Sequence, residues 1–70
     1  PDVAAVKSWR LATARAANVP AFVVFTDATL EALLELRPTT PAELLAVPGI
    51  GPVKVDRYGD ALLEVLAGLD

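Results

Sequence analysis

No cysteine, histidine or methionine occurs among the 70 residues, and the aromatic complement is one tryptophan, one tyrosine and two phenylalanines. Without cysteine there can be no disulfide and no thiolate metal site, which suits a reducing cytoplasm. Without histidine the usual general base near neutral pH is missing, together with the commonest metal ligand. Ser8 has no base nearby in sequence, the carboxylates do not fall at metal-ligand spacing, and neither a Walker nor a Rossmann glycine pattern occurs. The residues therefore predict a non-catalytic chain with no cofactor. Nor does any apolar run approach the ~18 residues that a membrane span requires. The chain opens at Pro1-Asp2-Val3 without an initiator methionine or a basic-then-apolar leader, so residues 1–70 read as one domain cut from a larger protein.

A domain this short buries only about 60% of its unfolded surface, so few core positions can be spared for polar work. The 54% hydrophobic content, mostly alanine, leucine and valine, supplies that core. The formal net charge of −3 is unevenly spread. Lys7, Arg10, Arg15 and Arg37 balance Asp2, Asp27, Glu31 and Glu35, whereas Lys54 and Arg57 face Glu43, Asp56, Asp60, Glu64 and Asp70. The whole negative excess lies after residue 37. Strong nucleic-acid binders are usually basic, so any such binding here should be weak.

The patterning predicts an all-α fold, a small orthogonal bundle of four to five short helices. A first helix runs from Asp2, a plausible N-cap, to Ala17, with Val3, Val6, Thr13, Ala14 and Ala17 on one face and Trp9 at its edge. Asn18 and Val19-Pro20 end it, because the residue before proline is pushed out of the α region. Residues 20–25 could be a strand by composition. With no second strand-like run to pair with, a single helical turn or an extended buried connector is the better reading, anchored by Phe22 and Phe25. Thr26 caps a helix from Asp27 to about Leu36, with Leu30, Leu33 and Leu34 inward. Thr40-Pro41-Ala42-Glu43 has the form of a capping box and starts a short helix through Val47. The last helix runs from Pro52 to about Leu66 on a stripe of Val55, Tyr58, Leu62, Val65, Leu66 and Leu69. Gly59 within it marks a kink or a close helix crossing.

Between the last two helices stands Pro48-Gly49-Ile50-Gly51-Pro52. Gly49 can take positive φ, Gly51 lets another backbone approach, and Ile50 points inward. The Val53 and Lys54 amides are then orphan donors at a helix N-terminus, suited to a phosphate. Lys54 and Arg57 share a helix edge and are the best phosphate contacts, extended by Lys7 and Arg15. The same pentapeptide is also a plain sharp corner, and Pro52 removes one donor. Arg10 lies amid the first helix's apolar face and reads as structural, its head paired with a carboxylate. Trp9 and Tyr58 read as core. Asp56, Asp60 and Glu64 form a ridge of carboxylates that repels phosphate and could engage Arg57 through Asp60. With two to four phosphate contacts, the log–log salt slope should be about −2 to −4.

Taken in order and spacing, Trp9-Arg10, Val19-Pro20-Ala21-Phe22-Val23-Val24-Phe25, Thr26-Asp27-Ala28-Thr29-Leu30, Arg37-Pro38-Thr39-Thr40 and Pro48-Gly49-Ile50-Gly51 resemble an HRDC domain, the helicase and RNase D C-terminal module. Lys54, Arg57-Tyr58-Gly59 and Leu62-Leu63 continue the likeness across nearly the whole chain. The Ala-rich, Arg-containing style looks most like the HRDC domain of an actinobacterial UvrD-like DNA helicase. The resemblance implies a five-helix bundle containing a helix-hairpin-helix-like turn. It implies an accessory role in an ATP-dependent helicase, holding single-stranded or branched DNA weakly and contacting the parent's helicase core. A bacterial cytoplasmic, monomeric, membrane-free setting goes with it. The alternative is a protein-interaction or intramolecular regulatory domain, its acidic ridge facing a basic surface.

Overall fold

The computed structural model describes residues 2–69. Five helices follow one another, α1 (Asp2–Ala17), α2 (Ala21–Val24), α3 (Asp27–Leu36), α4 (Pro41–Leu45) and α5 (Pro52–Ala67), with no strand among the described residues. The all-α expectation is met, and the ambiguous run after Pro20 is a single helical turn. No helix is long and apolar enough to cross a membrane among the described residues.

Each boundary has a local cause. Asn18 takes the left-handed conformation at φ 58°. Its N–H donates to Arg15 O at 3.1 Å and that of Val19 to Ala14 O at 3.0 Å, the paired bonds of a Schellman stop. Thr26 caps α3, accepting the Thr29 N–H, and Arg37 closes the helix in the left-handed region with its N–H on Leu33 O at 2.9 Å. The Arg37 guanidinium also pairs with the Asp2 carboxylate, joining the end of α3 to the start of α1. Asp2 therefore stands inside the first turn of α1 and serves this pair rather than acting as a cap.

At α4 the Glu43 N–H donates to Thr40 Oγ1 at 3.2 Å, as a capping box requires. The returning carboxylate reaches one residue further out, accepting from Thr39 N–H at 2.9 Å and Thr39 Oγ–H at 2.6 Å. These bonds hold the Glu43 carboxyl below its ordinary value, the Thr39 hydroxyl contributing most. The helix stops at Leu45, two residues short of the expected Val47, because Ala46 and Val47 turn back onto Glu43 O and Leu44 O.

The core is built from Val6 and Ala14 of α1, Val24 and Phe25, Leu30 and Leu33 of α3, Leu44, Val47 and Ile50, and Leu62 and Leu66 of α5. A fully buried leucine such as Leu33 or Leu44 contributes about 2 kcal/mol of hydrophobic stabilisation. Gly59 is buried beneath α4, and a Cβ there would lie 3.3 Å from Val55 Cγ1 of its own helix and at an ordinary contact distance of 3.6 Å from Leu44 Cδ1. Three expectations fail at the margins of this core. Val3 and Ala17 are exposed, since α1 is covered only along its middle. Phe22 is 66% exposed and anchors nothing. One turn of helix cannot bury both of its faces, and α2 turns Val24 inward, with Phe25 following it into the core.

Candidate nucleic-acid interface

Residues 47–50 form a β-turn closed by the Ile50 N–H on Val47 O at 3.1 Å. Proline stands second and Gly49 third with φ 91°, the requirement of a type II turn. The turn is tied down from outside. Thr26 Oγ–H donates to Thr29 Oγ1 at 3.3 Å, and Thr29 Oγ–H donates to Pro48 O at 3.0 Å. The hydroxyl chain that begins at the cap of α3 thus ends on the turn. Ile50 is 7% exposed and pins the turn to the core, as its apolar character predicts.

Gly51 caps α5 with extended backbone, φ −106° and ψ 177°, and supplies no side-chain acceptor. A Cβ on it would meet nothing within 4 Å, so this position has room for a side chain. The first bond into α5 runs from the Val55 N–H to Gly51 O at 3.0 Å. It follows Pro52, which has no N–H, and the Val53 and Lys54 amides, which are left without backbone acceptors by helix geometry. The Val53 side chain is 68% exposed. Lys54 folds back, its Nζ donating to Gly49 O at 3.3 Å. An ammonium has three donors, so this bond positions the charge beside the turn without exhausting it.

The remaining expected contacts do not all converge. Arg57 is exposed and makes no ion pair with Asp60 among the described residues. It lines a groove with Thr13, Ala16, Ala17 and Tyr58, so it faces the end of α1 as well as flanking Lys54. Lys7 and Arg15 do not line that groove and, eight residues apart, share another flank of α1. Lys7 is close enough to Asp27 to help hold its carboxyl down, after the larger effects of the Arg10 hydrogen bond and charge. Arg10 is structural. Its guanidinium donates to Phe25 O at 3.0 Å and Asp27 Oδ1 at 2.8 Å and lies 5.6 Å from the centre of the Phe25 ring.

Two features escape sequence reasoning. Thr29 looks like an ordinary helix residue, yet it is buried and holds a turn nineteen residues away. Phe22, assigned to the core by its chemistry, is an aromatic face open to solvent. A proline-started run of only four helical residues carries no period that could have revealed which way it points.

Residues 3–66 match the HRDC domain family. The chain is 56% identical over 63 residues to the ATP-dependent DNA helicase UvrD2 of Mycobacterium tuberculosis, covering 90% of this chain and 9% of that protein. It is 41% identical over 49 residues to the ATP-dependent DNA helicase RecQ of Pasteurella multocida, covering 70% of this chain and 8% of that one. Among solved structures, HRDC domain 3 of D. radiodurans RecQ superposes with a TM-score of 0.89 at 40% identity, covering 93% of this chain and 86% of that one. The chain thus spans less than a tenth of the length of these two helicases.

Proposed function

This chain belongs to the HRDC family, and from that premise we propose that it is the accessory nucleic-acid-binding module of an ATP-dependent DNA helicase. It positions single-stranded or branched DNA for the helicase core through weak contacts to the backbone. The observation that carries this reading is the N-terminus of α5, capped by a glycine with free space at its Cβ position, beside an ammonium anchored on the turn. One backbone phosphate is held by the Val53 and Lys54 amides with the Lys54 charge, and Arg57 takes the next. Because the donors are main-chain groups and point charges, binding discriminates little between sequences. Phe22 offers a face on which an unpaired base stacks, a contact available only in single strands. Lys7 and Arg15 attract the strand at longer range. The domain acts as a monomer in the bacterial cytoplasm.

Fluorescence anisotropy of labelled single-stranded and forked DNA at low salt tests the assignment. Binding should weaken with salt along a log–log slope of about −2 to −4. It should disappear in the Lys54→Glu/Arg57→Glu double variant. Phe22→Ala should weaken single-strand binding about tenfold while leaving duplex binding little changed. Absence of binding at millimolar domain overturns the reading.

A further inference from the structure

Away from the turn, the start of α1 and the end of α5 border an open groove of about 470 Å³. Ala5 and Trp9 line it from α1, and Ala61, Glu64, Val65 and Leu69 from the opposite side. The alanines give it depth, and Trp9, Val65 and Leu69 give it apolar walls. Trp9 is half-buried and held in place, stacked on Phe25 at 6.2 Å and 13° and meeting Tyr58 edge-on at 6.3 Å and 86°. A rigid indole gives contact area without losing side-chain freedom when a partner arrives.

Among the described residues Glu64 is the one charged side chain lining this groove, and Arg57, a turn before Ala61, lines the next groove along the same α1–α5 seam. Glu64 stands at its lip, and Asp60 and Asp56 continue from it at four-residue intervals along α5, all three exposed. None of them is in an ion pair among the described residues. The C-terminal end of α5 adds its partial negative charge, and no cation lines the groove. A polyanion is repelled from such a surface. What complements it is an aliphatic chain ending in a positive charge, with methylenes against Trp9 and Val65 and the head at Glu64. The groove runs between two helices and is lined at helical spacing, Ala5 with Trp9 and Ala61 with Val65, which is how a third helix is received.

We propose that this groove docks a helical segment of a partner protein, one bearing leucine with a lysine or arginine one turn away. The surface is distinct from the phosphate-binding turn, so the domain has a nucleic-acid end and a protein end. Trp9 is the sole tryptophan and reports occupancy directly. The probe is an amphipathic helical peptide of leucine, alanine and lysine, free of aromatic residues, titrated while Trp9 emission is followed. A saturable blue shift is expected, and the same peptide with glutamate in place of lysine should give none. Glu64→Lys should weaken binding at least about tenfold, and Glu64→Gln, which keeps the size of an exposed side chain, should lie between. Glu31→Lys, an equal charge change on exposed α3 surface, should stay within about twofold. Equal losses in Glu31→Lys and Glu64→Lys, or no response of Trp9 at millimolar peptide, overturn the proposal.

Discussion

At Gly49 a Cβ would fall 2.1 Å from Thr29 Oγ1 while φ stays at +91°. Any side chain there must both adopt left-handed backbone and displace the hydroxyl that holds Pro48 O. Gly49→Ala should therefore destabilise the domain by about 3 kcal/mol in urea unfolding, combining backbone strain with a lost buried hydrogen bond. Gly51 is governed by different physics, with ordinary extended backbone and open space around it. Gly51→Ser should leave the melting temperature unchanged or raise stability by a few tenths of about 1 kcal/mol, because a serine caps α5. The same hydroxyl takes an amide donor that the proposed phosphate contact uses, so on that proposal DNA affinity should fall in a variant that folds as well as its parent. If DNA binding survives this substitution intact, the helix end is not where phosphate binds. The positive φ of Gly49 is legible in the sequence because Pro-Gly implies it. The role of Thr29 is not, since its partner comes from a different element and only the packed fold brings them together.

Among the elements, the sequence marks boundaries well where a side chain makes the stop or start locally. Thr26, Thr40 and Asn18 all act within a few residues of themselves, and their helices begin or end where those residues stand. Elements with too few residues to show a period are illegible, and α2 is the case in point. Its buried Val24 and exposed Phe22 are two apart, a difference that only packing against α1 decides. The α4 cap carries a pH signature. Glu43 accepts from Thr39 and Thr40, which lowers its folded carboxyl below the ordinary value of 4.5. A carboxyl lowered in the folded state stabilises above its unfolded titration and loses that stabilisation as pH falls through the folded value. Glu43→Gln should thus flatten the acid side of the stability–pH profile from about pH 4.5 downward, while Glu35→Gln, at an exposed carboxylate outside this network, serves as the control. Thermal unfolding between acid and neutral pH checks it, and parallel profiles for the wild type and Glu43→Gln would show that the cap contributes nothing.

As a whole molecule, the domain separates its chemistry by place rather than by amount. The net charge of −3 describes neither end of α5, where a glycine-capped helix start with Lys54 contrasts with the carboxylate ridge further along. The two charge blocks could be read from the sequence, but the grooves beside them required α1 to be laid along α5. That packing has a topological consequence. Ala5 and Trp9 share a groove with Gly68 and Leu69, so the two ends of the described residues lie on the same side of the bundle. A bundle of this kind brings its first and last helical turns together along one groove. It should also tolerate circular permutation, with the two ends joined by a short flexible linker and the chain reopened between α3 and α4 at Thr39, at the loss of the bonds from Thr39 to Glu43. The permuted protein should retain its helical circular dichroism and a cooperative melt. Loss of both would mean that the order of helices, not only their packing, is needed to assemble the bundle.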